Sequence, residues 1–344
     1  MKRLKTALVG FGKIGAGYAD DPKKVRFYPY ATHAQVLRDH PAFEWVGVVD
    51  PSDDALERAK SDWAIENVAR DSRGFCGGGE VEVAVIATPP NQRLEVLEAF
   101  PNLCGVLVEK PIGETVEQGR EFVAECRRRG ISLAVNLFRR FDNQVLALAD
   151  GGLREIIGEP QTAFLTFGNG LINNGVHMID LVHMLLGDSL ATQAFNSESV
   201  FKEGPISNDL NFPFTLQLKG GVTVMASPIH FSAYRENGLD VWGSRGRIQL
   251  VNEGLTRIVT HVGPNRAMTG AKELIHEASQ FQCVGIVRAM YEVYENLADH
   301  LHARAPLKCD GETALRAEFV IDVLFRSQKA GGRCLSAQYT TAHD

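Results

Sequence analysis

Val106-Leu107-Val108-Glu109-Lys110-Pro111 is an apolar run that breaks off in an acid, a base and a proline. Three β-type residues in succession suit a strand buried on both faces of a parallel sheet. Pro111 has no N–H for a ladder, so the strand stops there. Ligands of open α/β sheets bind just beyond the carboxyl ends of such strands. Lys110 therefore leaves the sheet where a cofactor and a substrate can meet.

Upstream, the strand at residues 4–9 runs straight into Gly10-Phe11-Gly12-Lys13-Ile14-Gly15. A G-x-G-x-x-G spacing alone is weak, but between a strand and a helix start it fits a dinucleotide. Gly10 permits the tight turn, Gly12 lets the main chain approach a pyrophosphate, and Gly15 allows close helix packing. The amides of the helix start then face the anion. A second strand, Phe43 to Val49, ends at Asp50, where a carboxylate accepts both hydroxyls of an adenosine ribose. Pro51-Ser52-Asp53-Asp54 follow, and a 2′-phosphate would meet like charge there, so NAD is favoured over NADP. The competing reading is that Asp50 or Ser52 only caps a helix over 53–63. A strand at 81–87 stops at Thr88-Pro89-Pro90, a rigid turn beside a nicotinamide ribose. Short strand 67–69, helices 91–99 and 115–129 (Thr115 as cap) and strand 131–135 ending at Asn136 complete an α/β alternation. This is a doubly wound Rossmann nucleotide-binding domain over residues 1–137. A Lys-, Pro- and Tyr-rich insert at 20–30, ahead of a helix over 32–40, is a lid or a surface loop.

Past 138 the alternation ends. Strands are expected at 161–167, 192–200, 212–218, 222–227, 239–243, 247–251 and 256–262, giving an α+β domain over 138–344 with a large, mostly antiparallel, open-faced sheet. Such a face suits a homodimer or homotetramer. Helices at 143–149, about 284–303 and 312–330 are also expected, and a loosely ordered tail after Gly332. One helix, 173–187, interrupts the strands. Asn173, His177 and Asp180 fall on one of its faces at i, i+4 and i+7. Asn173 is equally a helix N-cap, and His183 lies off that line as a structural histidine.

At 344 residues two domains are the default. A net charge of −6 and the lack of a long basic run exclude a nucleic-acid partner. No stretch reaches the ~18 apolar residues of a membrane span. Met1-Lys2-Arg3-Leu4-Lys5 leads directly into a strand without an apolar leader, which reads as cytoplasmic. The six cysteines are scattered and form no C-x-x-C pair, and the histidines show no metal spacing, so no metal is expected.

Gly10-x-Gly12-x-x-Gly15, Asp50, Thr88-Pro89, Glu109-Lys110-Pro111 and Asn136, in this order, resemble the glucose–fructose oxidoreductase / inositol dehydrogenase (Gfo/Idh/MocA) family over nearly the whole chain. The resemblance implies an NAD-dependent dehydrogenase in which Lys110 contacts the reacting part of the substrate and Lys110–Pro111 is cis. The family helix pattern Asp-x-Gly-x-His-x-x-Asp maps the catalytic histidine to His177 and a substrate-contacting acid to Asp180. This chain has Asn173 where that pattern has aspartate, so the residue can hydrogen-bond but cannot stabilise an imidazolium by charge. Hydride would pass between the nicotinamide and a secondary alcohol of a sugar-like molecule. His177 would act as base, Lys110 would bond the same oxygen, Asn136 and Asp180 would hold ring hydroxyls, and Arg139 or Arg140 an anionic group. A nucleotide sugar is favoured as substrate. A polyol or aminocyclitol dehydrogenase, or a non-catalytic NAD-binding regulator, is the alternative.

Overall fold

The computed structural model describes residues 2–195, 200–283 and 287–340. Two compact units emerge, Met1–Phe141 with Val287–Leu315 and Asp142–Ile286 with Arg316–Asp344.

In the first unit, β1 (Leu4–Val9), β2 (Phe43–Val49), β3 (Val68–Ala69), β4 (Val83–Ile86), β5 (Gly105–Val108) and β6 (Ser132–Val135) form a parallel sheet in the order β3-β2-β1-β4-β5-β6. The strand order reverses between β1 and β4, which is the switch point where such sheets bind ligands. Every residue of β4 and β5 is buried, as an apolar run covered on both faces requires. The helices are α1 (Pro22–Phe27), α2 (His33–Asp39), α3 (Asp53–Trp63), α4 (Arg93–Ala99) and α5 (Val116–Arg128). Thr32, Ser52 and Thr115 cap α2, α3 and α5 by accepting amide hydrogens three residues on.

The helix expected directly after the glycine loop is present for only one turn. The Ala16 and Gly17 amides reach the Gly12 carbonyl, and then the chain departs through a tight turn at Gly17–Asp20 and α1. It re-enters at His33 and Ala34, whose amides donate to Ile14 O (3.1 Å) and Gly15 O (2.9 Å). α2 then starts anew behind the extended Thr32, with its first amides docked on the glycine turn, and the insert leaves Phe27 exposed.

In the second unit, α6 (Asn143–Ala147), which covers most of the helix expected over 143–149, and α7 (Leu153–Ile157) flank a wide turn at Leu148–Gly152, in which Gly151 has φ +112°. The strands are β7 (Pro160–Phe167), β8 (Ser189–Ala194), β9 (Phe201–Lys202), β10 (Leu210–Asn211), β11 (Phe214–Leu218), β12 (Thr223–Pro228), β13 (Gly238–Gly243), β14 (Gly246–Val251), β15 (Thr256–Pro264), β16 (Lys272–Leu274), β17 (Gln280–Cys283) and β18 (Leu335–Ser336), and α8 (Val176–Leu186) interrupts them. The large sheet runs β16-β15-β14-β13-β7-β12-β11-β8-β18, with β17 beside β15. Among the described residues only the β7–β12 pair of this sheet is parallel, and its other pairs are antiparallel. The register partners Phe164 and Met225 are both exposed on this sheet.

Three expectations change. The strand expected over 192–200 starts at Ser189 and ends at Ala194; residues 196–199 of it lie outside the described residues. The tail is not loose throughout, because β18 pairs with β8 and the Ala337 amide donates to Leu190 O. The single cut at 137/138 omits a return. Helix α9 (Ala289–Leu301) and the start of α10 (Gly311–Lys329) belong to the first unit. Residues 284–286, expected in α9, lie outside the described residues. The apolar stripe of α9, including Met290, Val293, Tyr294 and Leu297, packs beside α2 and β5. An amphipathic stripe says that a helix covers something, not which sheet it covers. Among the described residues no helix is long and apolar enough to cross a membrane.

Candidate active site

The glycine loop meets three separate demands. Gly10 has φ +98°, and a Cβ there would lie 2.8 Å from the Ala87 carbonyl carbon. A Cβ on Gly15 would come within 2.3 Å of Gly10 O. Gly12 differs, because a Cβ there would meet nothing within 4 Å. Neither backbone conformation nor protein packing requires glycine at 12, and what remains is room for something outside the chain. Phe11 is buried under this loop, and Lys13 and Ile14 continue its turn. Gly12→Val is therefore expected to leave the melting temperature unchanged while weakening NADH binding, read by fluorescence titration, by at least about 100-fold. Gly15→Val is expected to unfold the unit. Equal NADH affinity in Gly12→Val would remove the pyrophosphate from this loop.

Asp50 follows β2, and its carboxylate accepts the Phe11 amide (2.7 Å) and the Ser52 amide (2.9 Å). Ser52, not Asp50, caps α3. A carboxylate offers about four acceptor positions, so both ribose hydroxyls can still be received. Next to it stand Asp53 and Asp54, and the Arg70 guanidinium is engaged by Asp53.

At the carboxyl edge, Ile86, Val108 and Val135 are register neighbours on β4, β5 and β6. Thr88, Lys110 and Asn136 follow them on adjacent strands, and Pro89 stiffens the Thr88 turn. The Lys110–Pro111 peptide is cis. Among the described residues, Thr88 Oγ1 and Asn136 Oδ1 are buried without a hydrogen-bond partner. A buried polar atom left unpaired is costly, so these two mark where a ligand's polar groups belong. The open space at Gly12, the Asp50 carboxylate and these two atoms all fit a dinucleotide laid across the switch point.

Glu109 does not stand alone. His33 Nε2 lies 3.1 Å from its Oε1, Asn136 Nδ2 donates to the same oxygen at 2.6 Å, and Tyr294 Oη stands 2.7 Å from His33 Nδ1. Burial by itself would raise the Glu109 pKa, but the hydrogen bond and charge interaction with His33, the Asn136 hydrogen bond and the Lys110 charge outweigh it and hold the carboxyl below its ordinary range. The ionised carboxylate can only accept, so His33 carries its proton on Nε2. Its Nδ1 faces the Tyr294 hydroxyl. Burial first, and the Glu109 charge second, push that hydroxyl well above its ordinary pKa and keep it protonated. Asn136, expected as a substrate contact, has thus committed its amide hydrogens to Glu109 and Met290 Sδ and keeps only Oδ1 for a ligand. Arg139, expected as an anion clamp, is buried in the turn Phe138–Phe141, 4.8 Å from the centre of the Phe138 ring.

In the second unit, His177 and Asp180 stand one turn apart on α8, and Asp180 is buried. Asn173 precedes the regular helix, in a wide first turn at Leu171–Gly175 where the Gly175 amide reaches back five residues to Gly170 O. Such a turn carries an extra residue, so Asn173 is not in the ideal α-helical register assumed for it; wide turns of this kind recur at functional sites. Nor does Asn173 cap the helix. Its Nδ2 donates to Asn169 O, while the buried Asp209 accepts the Ile172 amide (2.9 Å) and the Asn173 amide (2.8 Å). His183 bonds Ser189 Oγ, as a structural histidine should.

His33, Tyr294, Arg93 and Asp209 are absent from the sequence reading. His33 and Tyr294 are 261 positions apart and Asp209 is 36 from Asn173, so no local pattern links them. Arg93 did leave a signal: with Val96, Leu97 and Phe100 it occupies i, i+3, i+4 and i+7 of one buried stripe.

A doubly wound dinucleotide domain joined to a second unit with a large open sheet defines the class. The family model "oxidoreductase family, NAD-binding Rossmann fold" matches residues 4–137, and its companion "C-terminal alpha/beta domain" matches 164–334. The chain belongs to the Gfo/Idh/MocA oxidoreductase family, and its first unit is an NAD-binding domain. D-apiose dehydrogenase of Paraburkholderia graminis is 26% identical over 220 residues, 57% of this chain and 54% of that protein. The chain spans about half the length of the curated relatives it matches first. Two solved structures share the fold: an Agrobacterium radiobacter oxidoreductase in complex with NAD+, L-tartaric acid and magnesium (TM-score 0.73, 17% identity, 98% of this chain and 99% of that one), and the super-repressor mutant of Gal80p from Saccharomyces cerevisiae (TM-score 0.75, 14% identity, 99% and 100%).

Proposed function

We propose that the protein is an NAD-dependent oxidoreductase that interconverts a secondary alcohol and a ketone on a sugar-like substrate, with a nucleotide sugar or related carbohydrate as first choice and a polyol or aminocyclitol as second. The observation that carries this reading is Lys110 at the carboxyl edge between Thr88 and Asn136, two residues with buried, unpartnered polar atoms. Gly10 to Gly15 receive the pyrophosphate, Asp50 the adenosine ribose, and Thr88, Pro89 and Glu109 border the nicotinamide ribose. When bound, NAD supplies the hydride acceptor for oxidation. The chain's residues manage the proton and the geometry. His177 takes the hydroxyl proton, and Lys110 donates a hydrogen bond to the same oxygen as negative charge develops on it. Asp180 and Asn173 orient neighbouring hydroxyls. Asn136 acts only as an acceptor through Oδ1, and Arg139 holds an anionic group.

Steady-state assays with NAD and NADH test this against D-apiose, inositols, aminocyclitols, UDP-sugars and their keto forms. Turnover with at least one carbohydrate alcohol or ketone is expected, with NAD preferred to NADP. Tight NADH binding with no turnover across the panel would replace the enzyme by a dinucleotide-binding regulator.

A further inference from the structure

Arg93 is the largest fully buried side chain among the described residues, and it stands on an otherwise apolar face of α4. Its guanidinium donates to three main-chain carbonyls: Ile112 O at 2.8 Å, Glu109 O, and Thr88 O at 3.5 Å. Two of these carbonyls bracket Lys110–Pro111, and the third belongs to the turn that ends β4. A single planar cation therefore ties together the loops leaving two neighbouring strands. Both strands have ended at this point, and Pro111 has no N–H to offer, so these carbonyls need a partner from outside the ladder. A guanidinium presents five donors in a rigid fork, whereas an ammonium on a flexible stem cannot hold three carbonyls in one plane.

We propose that Arg93 is a positioning residue for Lys110: by clamping the carbonyls on either side of it, Arg93 sets the direction in which the Lys110 side chain leaves β5. This deepens the assignment of Lys110 under Proposed function and rests on it. Displacing a reacting group by about an ångström costs on the order of 100-fold in rate, so the clamp matters to turnover even though Arg93 itself lies behind the loop.

The test reads Lys110 directly. Wild type, Arg93→Lys and Arg93→Gln are acetylated with limiting acetic anhydride between pH 7 and 10, and the rate at Lys110 is measured by peptide mass spectrometry against exposed Lys60 as internal standard. Both variants are expected to change the Lys110:Lys60 rate ratio by at least about threefold, with NADH affinity held within about threefold. Turnover of the best panel substrate is expected to fall at least about tenfold, mainly in kcat, and Arg93→Lys is expected to add no further loss in a Lys110→Ala background. An unchanged Lys110:Lys60 ratio, or loss of folded protein in both variants, would make Arg93 a packing residue and overturn the proposal. Full turnover by Lys110→Ala would instead sink the catalytic assignment while leaving the labelling result to decide the clamp on its own.

Discussion

Lys110→Ala and His177→Ala each lower turnover by at least about 100-fold while NADH affinity stays within about threefold of wild type. The expectation follows from what each group is asked to do. General acid–base catalysis contributes typically about 10²–10⁴-fold, and a hydrogen bond that strengthens as charge develops acts on kcat more than on substrate affinity. If both groups serve one oxygen, the double variant falls far short of the product of the two single losses, because removing one member already disables the unit. If the losses multiply, the two residues act in separate steps. Wild-type turnover in either single variant would take that residue out of the chemistry. Binding is the control: neither residue belongs to the glycine loop or to Asp50, so an NADH affinity that collapsed with turnover would point to a misfolded unit.

How much of this was legible beforehand divides along a physical line. Gly10, Gly12, Gly15 and Asp50 are readable because the main chain itself meets the ligand there, and the spacing of a turn and the end of a strand are local facts. Glu109-Lys110-Pro111 is readable for the same reason, since an apolar run halted by proline announces a strand end. Glu109 could be placed, but the His33 and Asn136 contacts that hold it ionised could not, because they join segments 76 and 27 residues away. The insert hid a further fact. Asp20 to Tyr30 read as a loop ahead of a new helix, and α2 is that helix, begun behind an extended, capping Thr32; the hydrogen bonds from His33 and Ala34 back to Ile14 and Gly15, which no local pattern announces, dock its start on the glycine turn. Asn173 failed as a cap because a distant residue, Asp209, does that work better: a carboxyl group with two oxygens satisfies two amides at once.

That substitution of one cap for another leads to the largest stability effect expected in the second unit. Gly170 has φ +94° and ψ 143°, a conformation close to glycine-only territory, and a Cβ there would sit 1.9 Å from Asp209 Oδ2. Its own amide is received by the buried Asn211 Oδ1 at 2.9 Å. Gly170→Ala must therefore either strain the backbone, at about 1–3 kcal/mol, or drive the carboxylate off the Ile172 and Asn173 amides, which forfeits charged hydrogen bonds of roughly 1.5–3 kcal/mol each. The packing leaves little room to avoid both, so a loss of about 4 kcal/mol and a fall in melting temperature of roughly 8–16 °C are expected. Asp209→Ala removes the same two bonds without the clash and is expected to cost about 3–5 kcal/mol, leaving two helix-start amides without an acceptor. Combined with Gly170→Ala it should add little, since the carboxylate that the new methyl would strike is gone. Calorimetry on the two single variants and the double variant checks this directly. Additive losses would mean that Gly170 and Asp209 act independently, and that the first turn carrying Asn173 is held in place by something other than this carboxylate.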